Sequence, residues 1–280
     1  MIDLHVHSTF SDGSLTPVAL VELAEKDGLS AMALSDHDTT DGIPLFLEAC
    51  KGRKLIGIAG VEISADFNPG TMHILGYFFD PSNSALAEAL FRMRNGREVR
   101  NKLILEKLNK LGLKITWEDV LKFTSEDVVG RPHFAQALLA KGYISDFKKA
   151  FEQYLGKGKP AYADRFRLTP EDSIRVIREA GGVAVLGHPV SLGVKDDNLR
   201  ELVKRLAGAG LRGIEVFYPE HKQKQVQQYS AIAKEFGLVL TGGSDFHGTI
   251  TPDIRLGRGF GSLCVDDELL VPLRVAAGRE

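Results

Sequence analysis

The chain alternates between short apolar runs of period two and longer stretches of period 3.6, the signatures of strands and of amphipathic helices. IDLHVHS (2–8), SAMALSD (30–36), LIGIAGVEIS (55–64), MHILGYFF (72–79), VAVLGHP (183–189), GIEVFYP (213–219) and LVLTGGSDFHG (238–248) read as seven strands. Helices are predicted between most of them, over 16–28, about 41–51, 169–182, near 196–209 and near 223–236. Two of these open on Thr-Pro, at Thr16-Pro17 and Thr169-Pro170. That dipeptide sets a capping hydroxyl before a residue whose missing N–H is harmless at the first helical position. Strands separated by helices predict an α/β fold with parallel strands, closed or nearly closed into a seven-stranded βα barrel.

Residues 84–160 break the rhythm. EALFRMRNGREVRNKLILEKLNKLG (88–112) reads as one long helix, three shorter helices are expected after it, and no strand is predicted. The expected organisation is therefore a barrel over 1–83 and 161–280, with an inserted helical subdomain at 84–160. Residues 92–165 carry 16 basic against 9 acidic side chains, a net +7 inside a chain of net charge −2. An anionic ligand would account for this asymmetry, and so would a solvated helix face.

With 44% hydrophobic and 26% charged residues the composition is that of an ordinary globular protein. No apolar run approaches the ~20 residues of a membrane span, and Asp3 and His5 interrupt anything resembling a secretory leader. A cytoplasmic chain is expected, with no membrane partner and no obligate protein partner. Cys50 and Cys264 stand far apart without a CxxC neighbour and read as reduced thiols without a chemical role.

The candidate chemistry begins with HVH. In a regular strand His5 and His7 share a face while Leu4 and Val6 point to the other. Taken alone, the pair reads either as two metal ligands or as an exposed strand end. The set of such residues is more informative. His5 and His7 end the first strand, His37 follows the second, Glu62 lies near the end of the third, His188 ends the fifth, and Asp245 and His247 end the seventh. In a βα barrel these positions converge on one mouth. His73 is the exception, falling at the start of the fourth run. Gathering so many polar groups in one mouth is costly unless cations are present, and a cysteine-free set of imidazoles and carboxylates suits manganese, iron or zinc.

The motifs carrying these residues stand in order along the chain: HxH (His5, His7), S-D-G (Ser11 to Gly13), S-D-H-D-T (Ser35 to Thr39), G-V-E (Gly60 to Glu62), H-I-L-G-Y (His73 to Tyr77), G-H-P (Gly187 to Pro189) and G-S-D-F-H-G (Gly243 to Gly248). Together they resemble the polymerase and histidinol phosphatase (PHP) superfamily of metal-dependent phosphoesterases. G-R-P-H (Gly130 to His133) and E-V-F-Y-P-E-H (Glu215 to His221) narrow the likeness to a stand-alone branch that includes nucleoside 3′,5′-bisphosphate phosphatases and 5′-3′ exoribonucleases of the RNase AM type.

The resemblance implies a distorted (β/α)7 barrel holding three divalent ions, with manganese first among the candidates. Carried over position by position, the first ion takes His5, His7, Glu62 and Asp245, the second Glu62, His73 and His188, and the third Asp12, His37 and His247. Glu62 and Asp245 become the catalytic carboxylates, around a hydroxide shared by the first two ions. Arg131 and His133 would bind a non-reacting phosphate, and His221 would touch substrate; for Arg131 and His133 the other reading is a contact at a helix N-terminus. The implied substrate is a small phosphorylated nucleotide or short RNA. Hydrolysis of histidinol phosphate or of a cyclic phosphoribose is the second enzymatic reading, and a metal-stabilised binding module the non-enzymatic one.

Overall fold

Seven strands form one sheet in chain order in the computed structural model, which describes residues 1–123 and 129–279. They are β1 (Ile2–Val6), β2 (Ala31–Leu34), β3 (Ile56–Ala65), β4 (Met72–Tyr77), β5 (Val183–Leu186), β6 (Gly213–Phe217) and β7 (Val239–Gly242). Around them lie α1 (Pro17–Lys26), α2 (Ile43–Cys50), α3 (Ser84–Lys110), α4 (Trp117–Leu121), α5 (Arg131–Ala140), α6 (Phe147–Ala150), α7 (Pro170–Glu179), α8 (Asp196–Ala209), α9 (Gln223–Glu235) and α10 (Leu270–Ala276). The Thr-Pro starts behave as expected. The hydroxyl of Thr16 accepts the N–H of Ala19 and that of Thr169 the N–H of Asp172, each cap contributing about 1 kcal/mol.

The sheet is mixed, which corrects the expectation of parallel strands. β4 runs antiparallel to both β3 and β5, while every other pair is parallel. The cause is the length of one connection. Only residues 66–71 join β3 to β4, fewer than the dozen or so that a parallel crossover requires. The start of β4 therefore lies beside the end of β3, with His73 opposite Ser64. Beyond β7 the chain reaches β1 again: the N–H of His7 donates to the carbonyl of Phe246 at 3.0 Å, and the sheet is nearly closed into a barrel.

A second irregularity lies in β1. Asp3 pairs with Met32 but Val6 with Leu34, so the register slips between them. Ile2 and Leu4 join the cluster of Ala31, Ala33, Ile58, Leu75 and Tyr77, which α10 closes with Leu270 and Leu273. His5 and His7 then reach Glu62, whose strand face is that of Ile58 below it and of Leu75 across the ladder. The bulge thus puts Leu4 and His5 on one side, where strict alternation would have opposed them.

The chain divides into two units, Met1–Leu90 with Leu168–Glu280, and Phe91–Arg167. The barrel belongs to the first. The second unit has its own core, built from Ile104, Leu108, Ile115, Phe134 and Leu138 among others. Residues 124–128 of the expected insertion lie outside the described residues. Among the described residues no helix is long and apolar enough to cross a membrane.

Candidate metal centre

Glu62 is the hub. Fully buried on β3, it presents Oε2 to Nε2 of His5 and Nε2 of His7, both at 3.2 Å, and to Nδ1 of His37 at 3.0 Å. Its other oxygen, Oε1, lies 2.5 Å from Nδ1 of His73 and 3.0 Å from Nε2 of His188. His73 and His188 are themselves 3.2 Å apart. The reversal of β4 explains how His73 arrives, since a residue at the start of an antiparallel strand sits level with the ends of its neighbours.

Asp245 completes the group around Oε2. Its Oδ1 lies 3.1 Å from Nε2 of His7 and 3.5 Å from Nε2 of His5. A further group gathers on the loop after β1, where Asp12 lies 3.2 Å from His247, 3.4 Å from His7 and 3.5 Å from His37. That loop is pinned by Asp36, which accepts the N–H and hydroxyl of Ser8 and the hydroxyl of Ser11, all at 2.7 Å. Gly13 is required there, because a Cβ would stand 2.2 Å from the carbonyl oxygen of His7. Asp245, like Asp38, holds a left-handed backbone at φ 54°, a conformation that the surrounding structure must impose on a residue with a side chain.

The electrostatics follow from this crowding. Burial raises the Glu62 carboxyl, but the imidazoles of His37, His73 and His5 overcome it and hold the group well below its usual range. Asp245 is held low in the same way against burial, chiefly by His5 and His7. Burial lowers the His5 imidazole, yet the carboxylates of Glu215, Glu62 and Asp245 carry it well above its ordinary value. His73 alone among the ligand-type imidazoles goes down, because burial dominates the pull of Glu62.

The residues fit divalent cations. Nε2 of His5, Nε2 of His7 and Nδ1 of His37 face Oε2 of Glu62 at close range, and Oδ1 of Asp12 faces His247 and His7; these five ring and carboxylate atoms are buried and have no hydrogen-bond partner. Buried polar atoms are rarely left so, and cations placed among them would satisfy them. Among the described residues, four clusters have donor atoms close enough to share an ion: His7, Asp12, His37 and His247; His5, His7, Glu62 and Asp245; His5, His188 and Glu215; and His37, Glu62 and His73. The donors are imidazole nitrogen and carboxylate oxygen, without sulfur, a set suited to manganese, iron or zinc.

Two contributors were not foreseen. Glu215, fully buried on β6, lies 2.9 Å from Nδ1 of His5 through Oε1 and accepts the N–H of His188 at 2.8 Å through Oε2. Its signal in the sequence is a carboxylate in the apolar run GIEVF, which must find a partner once buried. Tyr218 donates its hydroxyl to Oδ2 of Asp245 at 3.0 Å. Of the residues expected to touch substrate, His221 lies behind Tyr218, ring centroids 5.1 Å apart, in the wall of a cavity of about 150 Å³. Arg131 and His133 belong to the second unit, in the first turn of α5. The Arg131 guanidinium lies over the Tyr162 ring at 5.3 Å and Nδ1 of His133 accepts the N–H of Gly130 at 3.0 Å, the helix-start contact named as the other reading. Nearby Arg100 is lowered to about 9 by burial and by the charges of Arg165, Arg97, Arg131 and Arg167.

A nearly closed mixed barrel with imidazoles and carboxylates gathered on one buried glutamate defines a metal-binding protein of the PHP type. The chain belongs to the PHP domain family, whose model matches residues 3–159. It is 33% identical over 247 residues to a 3′,5′-nucleoside bisphosphate phosphatase of Chromobacterium violaceum, covering 88% of this chain and 87% of that one. It is 35% identical over 258 residues to the 5′-3′ exoribonuclease Rnm of Salmonella typhimurium, covering 91% and 88%. A solved structure from Bifidobacterium adolescentis, assigned as a metal-dependent phosphoesterase, superposes with a TM-score of 0.77 at 32% identity, over 98% of this chain and 96% of the other.

Proposed function

We propose that this chain is a phosphoesterase that takes three divalent cations, manganese first among the candidates, and hydrolyses phosphate esters of nucleotides. The observation that carries the reading is the division of Glu62, one oxygen toward His5, His7 and His37 and the other toward His73 and His188. A carboxylate so placed can serve two ions at once. In this reading His5, His7, Glu62 and Asp245 hold one ion, Glu62, His73 and His188 a second, and Asp12, His37 and His247 a third. Bound there, the ions supply Lewis acidity toward phosphoryl oxygens and toward water at neutral pH.

The chain's own residues do the rest. Glu62 and Asp245, both kept ionised by neighbouring imidazoles, bring negative charge that offsets the cations. Glu215 orients His5 by accepting from Nδ1, which turns Nε2 toward the cluster, where a cation would take the place of its proton. Arg131, with His133 beside it, offers a planar fork to a second, non-reacting phosphate, and His221 contacts substrate. The likeness to a bisphosphate phosphatase and to an exoribonuclease supports 3′,5′-bisphosphorylated nucleosides or the 5′ ends of short RNA as substrates.

The test is an assay of manganese-loaded protein against adenosine 3′,5′-bisphosphate, 5′-phosphorylated oligoribonucleotides, histidinol phosphate and a cyclic phosphoribose. Hydrolysis of either of the first two, abolished by chelator, is expected. Full metal occupancy with turnover of none of these, or of the last two only, overturns the assignment.

A further inference from the structure

β6 delivers none of the residues assigned to the ions, yet two side chains at its end stand directly behind them. Glu215 supports His5. Tyr218, one residue past the strand, supports Asp245: its hydroxyl donates to Oδ2 at 3.0 Å, while Oδ1 of the same carboxylate faces His7 and His5 at 3.1 and 3.5 Å. The two oxygens therefore have different tasks. The Tyr218 ring is itself held, with its centroid 5.0 Å from that of His188 and 5.1 Å from that of His221. His221 is fixed in turn by donating from Nδ1 to the carbonyl of Val216 at 2.8 Å and by the edge of Tyr229 at 4.9 Å. A row of rings thus ends on a carboxylate whose backbone stands in the left-handed region.

We propose that Tyr218 is a positioning residue that determines which oxygen of Asp245 faces the cluster. A carboxylate turns readily about its terminal torsion and exchanges its oxygens. A donor fixed on Oδ2 stops that exchange and keeps Oδ1 directed at the imidazoles. The inference rests on the metal reading above. Partners in this outer position change metal affinity or activity by about 10- to 100-fold when removed.

Tyr218→Phe deletes the hydroxyl and keeps the ring against His188. Titration calorimetry with manganese ion alone should show binding about 10- to 100-fold weaker than wild type for at least one ion. The metal-free variant should melt with wild type, and added manganese should raise its Tm less, since stabilisation by a ligand follows its affinity. Turnover should recover as manganese is raised. Wild-type manganese affinity in the variant overturns the proposal, including the case in which kcat alone falls, which would make Tyr218 a substrate contact. A wild-type chain that binds no manganese overturns the metal reading and this inference with it. A chain that binds manganese but hydrolyses no nucleotide ester overturns only the proposed substrate. Where the variant loses stability without metal, a double-mutant cycle with Asp245→Asn decides. Affinity losses that fail to add support the coupling of the two side chains, and fully additive losses overturn it.

Discussion

Nδ1 of His5 lies 2.9 Å from Oε1 of Glu215, and neither side chain is exposed to solvent. The contact fixes the ring's orientation and keeps a proton on Nδ1, so that Nε2 is the nitrogen that would ligate a cation. The other oxygen of Glu215 holds the backbone of His188, so one carboxylate sets the position of residues from two strands.

Replacing that carboxylate should therefore weaken metal binding without touching a direct ligand. Glu215→Gln is expected to bind manganese about 10- to 100-fold less tightly than wild type, measured by competition with a chelating dye. Unchanged affinity would remove Glu215 from the working parts of the site.

Glu62→Gln strikes the hub. The amide has one acceptor oxygen in place of two, so kcat should fall far more than KM, the pattern for an interaction made in the transition state. Steady-state kinetics on protein shown to be folded by circular dichroism check this. A folded variant with wild-type kcat would rule out a bridging role.

Asp12 sits on a loop and lies against His247, His7 and His37, away from the two-sided contacts of Glu62. Asp12→Ala should accordingly lose one ion and spare the rest. Elemental analysis of protein expressed with manganese should give about three equivalents per chain for wild type and about two for the variant, as the proposed three-ion assignment requires. An unchanged metal content would overturn the third site.

Arg131→Ala should cost about 2 to 4 kcal/mol in kcat/KM toward adenosine 3′,5′-bisphosphate, the range for truncating one partner of a buried charge pair. Adenosine monophosphates, lacking the second phosphate, should lose little. Equal proportional losses on both would return Arg131 to the reacting phosphate or to the fold.

Gly243→Ala tests packing beneath the site. A Cβ there would stand 2.4 Å from the backbone nitrogen and Cβ of His5, so the variant should lose about 1 to 3 kcal/mol by thermal denaturation of the metal-free chain. A melting curve identical to wild type would mean that β1 yields more easily than its pairing suggests.

Much of the barrel was legible because its strands and helices carry different periods and its Thr-Pro starts have a local cause. His5, His7, His37, His188, Asp245 and His247 announced themselves by falling at strand ends. The direction of β4 was not drawn from the pattern, although the short 66–71 connection held the information; His73 looked misplaced for that reason alone. The bulge in β1 left no mark in the sequence, since Leu4 and His5 alternate in type as a regular strand would. Tyr218 could not be found by residue type, because a tyrosine at a strand end has many uses and its partner, Asp245, is distant in the chain.

The reversed strand also gives the site contacts that close loops of very different length. Glu62 and His73 are joined by a short hairpin, a contact of low sequence separation that a chain can form early. His5 meets Asp245 only when the sheet's two edges find each other across nearly the whole length of the polypeptide, a loop closure of far greater entropy cost. Six of the nine assigned residues, His5 to His73, lie in the chain by the end of β4, His188 follows β5, and only Asp245 and His247 must come from beyond β7.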